Sequence, residues 1–192
     1  MSQRIANTLT AATYIESQTN TDYSNVVKNV SNLTSTSDSK TTFVGKGGAI
    51  PDGIGSFQDE IVIQEDFRIT EVSVTLNDII HTWVGDLSVR LRHLETNTVV
   101  DLFQRPGQPK FSSSGYCNDL KGNYSFSDRS DCNFEETAAT HAVIPSGKYA
   151  SLQSLSAFSG MSGNGTWQLT IKDSSAGDSG SLGSWNLDFE RE

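Results

Sequence analysis

The residues with the clearest chemical potential lie near the end of the chain, in the stretch Gly163–Phe189. Asp173 and Asp178 fall in a glycine-rich loop of this stretch, and carboxylates are the hard oxygen ligands that calcium prefers. Acids also cap turns in proteins of every class, so a structural role stands beside the cation site as an alternative. The stretch therefore predicts a loop whose acids either bind a hard cation or cap the turns of the loop itself.

Two strand-like runs, Thr166–Lys172 and Gly183–Phe189, must position that loop. Apolar and polar residues alternate in both runs, which is the period of a half-buried antiparallel strand. Trp167 and Trp185 are in phase with the neighbouring Leu, Ile and Phe residues. We therefore predict that both tryptophans face the core of a β-sandwich and do not form a carbohydrate platform.

The composition of the whole chain indicates an all-β domain. Of its 192 residues, 35% are hydrophobic, and Gly, Ser, Thr and Asn are abundant, which suits many strands joined by turns. A net charge of −9 argues against a nucleic-acid partner, because the phosphates would be repelled. No apolar run is long enough to predict a membrane span, and the N-terminus lacks the apolar segment of a Sec-type signal peptide.

Residues 1–45 differ from the rest of the chain, because nearly half of them are Ser, Thr or Asn. They contain two short segments with helical spacing, neither of which would be stable alone in water. We expect a polar arm or linker over 1–45 that docks on a protein partner, followed by the sandwich over 46–192. Within the sandwich, residues 104–135 have the composition of a long polar insertion.

The cysteines and histidines do not predict catalysis. Cys117 and Cys132 are the two cysteines of the chain, and we predict that they form a disulfide, with two free thiols as the alternative. His81, His93 and His141 stand in no recognisable nucleophile–base arrangement, and no G-x-S-x-G elbow occurs. The chain is therefore expected not to be an enzyme.

Several segments, in the right order, resemble the P-domain, also called the homo B domain. This module follows the catalytic domain in kexin- and furin-like proprotein convertases and in bacterial subtilisin-like proteases. The resemblance covers about residues 50–190 and implies a jelly-roll β-sandwich of about eight strands, with nothing implied about the arm. The motifs that carry it are H-T-W-V-G-D-L at His81–Leu87, G-T-W at Gly165–Trp167, G-D-S-G-S-L at Gly177–Leu182 and the dipeptide Ser184-Trp185.

The same resemblance implies a set of calcium ligands. In P-domains of bacterial proteases, the acids that match Asp86, Asp128, Asp173 and Asp178 are the usual candidates for binding Ca²⁺. Several carboxylates that converge without a cation would repel one another, which favours a bound ion. We therefore expect Ca²⁺ as a stabilising cofactor, with acids that merely cap turns as the alternative.

The resemblance implies a function in binding, since P-domains pack against a protease and stabilise it. We expect the module to act here without a catalytic domain before it, because residues 1–45 are too few and too polar to form one. We expect a non-catalytic, calcium-stabilised interaction module that serves as a structural or surface-decorating component of a larger assembly. A phage virion, tail or appendage would fit, and residues 1–45 would anchor the module to it. A homo-oligomer is also possible on this interpretation. We expect the assembled particle to be exposed to an extracellular environment. The alternatives are an accessory P-domain that stabilises a subtilisin-like protease in trans, and an adhesin that binds a surface glycan.

Overall fold

The computed structural model describes residues 40–53 and 55–192, which form two β-sheets packed face to face. Within these residues, the elements other than strands are one short helix, α1 (Phe134–Ala138), and 3-10 turns at Val84–Asp86 and Leu155–Phe158. In this part of the chain no helix is both long and apolar enough to cross a membrane. The strands are β1 (Thr41–Ile50), β2 (Phe57–Ile63), β3 (Ile69–His81), β4 (Leu87–His93), β5 (Thr98–Gln104), β6 (Asp119–Ser127), β7 (Val143–Ile144), β8 (Gly147–Tyr149), β9 (Gly165–Asp173) and β10 (Gly180–Arg191).

The strand order is that of a jelly roll. The six-stranded sheet has the order β1-β10-β3-β6-β7, with β8 also paired to β6, and the four-stranded sheet has the order β2-β9-β4-β5. Many strands that follow one another in the chain, such as β1 and β2 or β9 and β10, belong to opposite sheets, whereas β4 and β5 pair as neighbours in one sheet. The predicted all-β sandwich is confirmed, with ten strands among the described residues in place of about eight.

The core lies between the two sheets and is formed by every second residue of the long strands. In β9 the residues at alternate positions from Gly165 to Asp173 are buried, as the period of two predicts. Trp167 and Trp185 are both fully buried, which confirms their predicted place in the core. The Trp167 ring contacts Phe189 edge-on with centroids 5.1 Å apart, and this contact joins the two sheets.

Two boundaries of the predicted layout are wrong. The expected polar insertion at 104–135 contains strand β6, in which Tyr124 and Phe126 are fully buried between outward-facing polar residues. Strand β1 begins at Thr41, so residues 41–45 belong to the sandwich and not to a linker. Phe43 anchors them, with its ring 6.0 Å from that of Phe189. The remainder of the predicted arm, with its short helices and its docking role, lies outside the described residues.

Candidate functional site

A buried histidine–carboxylate pair closes one end of the sandwich. His81 ends β3 in one sheet and Asp173 ends β9 in the other, and both side chains are fully buried. With its proton on Nε2, His81 donates to Asp173 Oδ2 over 3.1 Å, and its Nδ1 accepts the Trp83 N–H over 3.2 Å. Asp173 Oδ1 accepts the Ser175 N–H over 3.0 Å. The pair therefore ties the ends of the two sheets together, with its hydrogen-bonding groups satisfied.

Asp86 lies beside this pair, in the 3-10 turn that precedes β4, and is itself buried. Its Oδ1 is 3.7 Å from Arg105 Nη2, which also donates to the Ser175 hydroxyl over 3.1 Å. Burial raises the pKa of the Asp86 carboxyl above its ordinary value, and the Asp173 and Asp178 carboxylates add to the rise. The Ser175 hydroxyl and the Arg105 guanidinium oppose it. Arg105 thus places a positive charge beside Asp86, although burial still keeps the pKa of Asp86 above its ordinary value.

Asp128 lies in a different part of the fold, immediately after β6, and caps the 3-10 turn at Leu155–Phe158. The Ser154 hydroxyl donates to Asp128 Oδ2 over 2.6 Å, the Leu155 N–H to Oδ1 over 2.9 Å and the Ser156 N–H to Oδ2 over 2.7 Å. Although burial alone would raise the pKa of Asp128, these donors lower it below the ordinary value. The carboxylate is therefore held by the protein as an anion.

The four predicted calcium ligands do not form one ligand set. Asp178 accepts the Thr82 hydroxyl over 2.7 Å, and the other three acids are held by the protein groups described above. Among residues 40–53 and 55–192, no group of three or more His, Cys, Asp or Glu side chains is arranged to hold a metal ion. Calcium needs six or more oxygens pointing at one centre. The residues present therefore do not fit the predicted site, and the alternative of turn-capping acids describes them better.

We expect chelation with EGTA to leave the thermal unfolding midpoint unchanged, because protein donors bind Asp128, Asp173 and Asp178 and no described group of three or more acidic, His or Cys side chains is arranged to hold a metal ion. Differential scanning calorimetry of the chain in EGTA, in excess Ca²⁺ and in excess Mg²⁺ measures this. A midpoint that falls in EGTA and is restored by Ca²⁺ but not by Mg²⁺ would show that the acids rearrange around calcium, contrary to this prediction.

Replacing Asp128 with alanine is expected to lower the free energy of unfolding at neutral pH by about 1–2 kcal/mol, as the loss of a cap does. A lowered pKa in the folded state stabilises the fold above the unfolded pKa of 3.8, and this stability is lost as the pH falls through the folded value. The difference between wild type and variant, measured by urea unfolding, should therefore shrink below about pH 4. A difference that stays constant with pH would contradict an ionised cap, and Asp128→Asn, which keeps one acceptor oxygen, is the control.

The cysteines and the other histidines do not complete a catalytic set. Cys117 and Cys132 are exposed free thiols, so the predicted disulfide is not formed in the structure. His93 is buried against the Trp167 ring, and His141 is exposed beside the helix α1. Within the described residues, none of the three histidines is hydrogen-bonded to a serine hydroxyl.

A polar groove of about 490 Å³ lies on the outer face of the six-stranded sheet. Its floor is formed by small hydroxyl residues on neighbouring strands. Ser73 of β3 stands opposite Ser127 of β6, and the next pair along, Thr75 and Ser125, is joined by a hydrogen bond of 3.1 Å. The floor is rigid because strands β10, β3 and β6 are paired along it.

One end of this groove carries a charged triad. Glu71 and Glu190 are directly opposite in the register of β3 and β10, where like charges repel. Arg129 binds both, with 2.7 Å between its Nη1 and Glu190 Oε1. Burial raises the pKa of Glu71 above its ordinary value. The neighbouring carboxylates of Glu190 and Asp128 raise this pKa further, whereas the Arg129 guanidinium lowers it. None of these three residues was predicted to be functional, although the alternation of Val72, Val74 and Leu76 is a signal that could have placed Glu71 and Ser73 together on the outer face.

The model of the family described as the proprotein convertase P-domain matches residues 69–189, well over half of the chain. No curated protein matches at the required significance. Two similar solved structures are the serine protease of Aeromonas sobria alone and the same protease in complex with the chaperone ORF2.

These two structures are distant from the chain. Each shares 15% sequence identity with the present chain, and each match covers 80% of the present chain. The TM-scores are 0.47 for the complex and 0.46 for the protease alone. The chain covers 27% of each protease chain and so spans about a quarter of its length.

The family match includes the segments that position the buried end of the sandwich. Its range, 69–189, contains β3 with His81, the turn with Asp86, and β9 with Asp173. It also contains most of β10 and both core tryptophans. The assignment rests on this family model and agrees with the resemblance carried by the sequence motifs. The chain belongs to the proprotein convertase P-domain family.

Proposed function

We propose that this chain acts as a non-catalytic module that binds a protein partner through the outer face of its six-stranded sheet. The observation that carries the proposal is the contrast between the two polar regions of the molecule. The histidine and acids at the end of the sandwich are consumed by structural hydrogen bonds, whereas the groove presents hydroxyls and charges on a rigid sheet. Such a surface is suited to recognition and offers no nucleophile activated by a base.

A subtilisin-like catalytic domain is the partner class that this proposal favours. Support comes from the family, whose members are described as domains of proprotein convertases. An accessory module of this kind would stabilise the protease by binding its folded state, in proportion to affinity and concentration. A role in a virion or another large assembly, an extracellular location and a glycan ligand stay predictions from the sequence.

The groove specifies the chemistry of the contact. Lys40, Lys148 and Arg129 line it together with Glu71, Asp188 and Glu190, so both signs of charge are present on one face. A partner surface with charged side chains of both signs would complement it. Electrostatic complementarity of this kind favours specificity and fast association. The contact should therefore weaken as the ionic strength rises.

Binding to a kexin-like catalytic domain prepared without its own P-domain tests the proposal. Biolayer interferometry should show saturable binding by the chain and a dissociation constant at least about tenfold higher for Ser127→Arg, which places a long side chain across the groove floor. Val62→Arg is the matched control, because Val62 is 66% exposed on the outer face of the other sheet.

Three outcomes are informative. Binding that Ser127→Arg weakens and Val62→Arg leaves intact supports the proposed face. Binding that is equally strong in both variants would retain the module but contradict the groove as its surface. The absence of any binding at micromolar concentrations would contradict a protease partner.

A further inference from the structure

An aromatic side chain is presented to solvent at the tip of the loop between β5 and β6. Phe111 is 66% exposed and is the only aromatic residue among the exposed large hydrophobic side chains of the described chain. Its ring leans on that of Tyr116, with centroids 4.9 Å apart. Aromatic residues, Phe among them, are enriched in protein–protein interfaces relative to the rest of the surface.

The loop holds Phe111 outward in a fixed position. Hydrogen bonds link each part of the loop to its base, so little conformational entropy remains to be lost on binding. These bonds run from Phe111 N to Gly107 O at 2.7 Å, from Tyr116 N to Pro106 O at 2.8 Å, from Trp83 Nε1 to Ser114 O at 2.8 Å and from Gly107 N to Glu135 Oε1 at 2.7 Å.

A groove of about 440 Å³ begins immediately beside this tip. Its lining includes Lys110, the neighbour of Phe111, and Leu152, which is 60% exposed. The aromatic residues Phe103 and Phe134 form part of its floor, with their rings stacked 4.6 Å apart. The molecule thus carries an apolar knob and a partly apolar groove side by side on one surface.

The surface formed by the tip and the groove is self-complementary in charge, because Lys110 and Glu135 both line the groove and carry opposite signs. Residues 105–118 contain two basic residues, Arg105 and Lys110, and no acid, although the chain as a whole has a net charge of −9. Arg105 is turned inward to Asp86, which leaves Lys110 as the exposed charge of the tip. Glu135 lines the groove, where its bond to Gly107 N fixes the carboxylate.

A two-fold contact between identical molecules requires a self-complementary patch, and a knob beside a groove that fits it is one such patch, since each copy can then give and receive the same group. We propose that the chain forms a symmetric dimer in which Phe111 of each copy enters the groove of the other. Lys110 then faces Glu135 of the second copy. This contact is separate from the polar sheet face and does not depend on binding to a protease.

Sedimentation velocity of the full chain, from micromolar to near-millimolar concentration, tests the dimer. The wild-type protein should pass from monomer to dimer over this range. Phe111→Ser should raise the dissociation constant by at least about 30-fold, as expected for a central aromatic anchor. Lys110→Glu should raise it by about tenfold, because it places like charges opposite each other.

Val62→Ser is the matched control, because Val62 is as exposed as Phe111 but lies on a strand away from the tip. Equal melting temperatures of the monomeric variants would show that each is folded. If the wild-type protein stays monomeric at all these concentrations, the proposal is overturned, and a different protein would be the occupant of the groove. A dimer that Phe111→Ser does not weaken overturns it as well.

Discussion

Replacing Asp173 with alanine is expected to lower the free energy of unfolding by about 2–5 kcal/mol, because it leaves two donors, the Nε2–H of His81 and the N–H of Ser175, without an acceptor. His81 would lose the acceptor of its Nε2–H, and both side chains are fully buried, so water cannot replace it without opening the sandwich. The amide of Ser175 would lose its acceptor too. Urea unfolding followed by tryptophan fluorescence measures the change.

Two further variants distinguish the loss of the His81–Asp173 hydrogen bond from a general effect of removing an acidic residue. Asp173→Asn keeps an acceptor oxygen of the same shape and should cost about 1–2 kcal/mol. Asp178→Ala removes a nearby acid that is only partly buried and bonds Thr82, and should cost about 1 kcal/mol or less. If Asp173→Ala were no more destabilising than Asp178→Ala, the buried pair would not hold the two sheets together.

Replacing Trp185 with alanine is expected to cost about 3–5 kcal/mol, the range for deleting a large buried aromatic side chain. Trp185 is fully buried, stands opposite Gly45 in the pairing of β10 with β1, and donates from Nε1 to Asp59 Oδ2 over 2.8 Å. Asp59 also accepts the N–H of Lys46 over 2.7 Å, so one carboxylate links β1, β2 and β10. Urea unfolding is again the measurement.

Substitutions at and around this position test its two contributions separately. Trp185→Phe retains most of the buried ring but loses the bond to Asp59, and should cost less than the alanine variant. Gly45→Ala should also destabilise, because a Cβ there would lie 1.9 Å from Trp185 Nε1. Val44→Ala, at a neighbouring position that is 67% exposed, should change stability by less than about 0.5 kcal/mol. A Trp185→Ala variant as stable as Val44→Ala would contradict this description of the core.

The sandwich could be predicted from the sequence because its long strands alternate regularly. Trp167 and Trp185 are buried in phase with their neighbours, as predicted. Strand β6 was missed because Asp119–Ser127 contains Gly122 and Asn123 and makes its hydrogen bonds with β3, far away in sequence. Local composition indicated a loop there, whereas sheet pairing, which is a tertiary effect, decided the outcome.

The acids show where the sequence was not sufficient. It identified Asp86 and Asp173, which do come together at one end of the sandwich. It could not show that His81 would hydrogen-bond Asp173 or that Arg105 would lie beside Asp86. Asp128 was grouped with them, although it caps a turn elsewhere. A carboxylate in a loop has the same sequence signal whether its oxygens face a cation, a guanidinium or a backbone amide. Only the three-dimensional arrangement of donors distinguishes these cases.

Cys117 and Cys132 illustrate a similar limit. Two cysteines in one polar region favour a disulfide on spacing alone, because a short loop is easy to close. In the structure the intervening residues form β6, a full strand of the sheet, and both thiols remain free. A disulfide would need Cys117 and Cys132 to lie close together, whereas the extended strand β6 separates the two ends of the segment between them.

The residual peptidase activity of a kexin-like catalytic domain after heating tests the central claim most directly. With the chain present in excess, the half-life of activity at the inactivation temperature should increase, and Ser127→Arg should abolish most of the increase while Val62→Arg preserves it. The chain alone should show no hydrolysis of the same peptide substrate. An unchanged half-life, or hydrolysis by the chain alone, would contradict the account of this protein as a non-catalytic binding module for a protease.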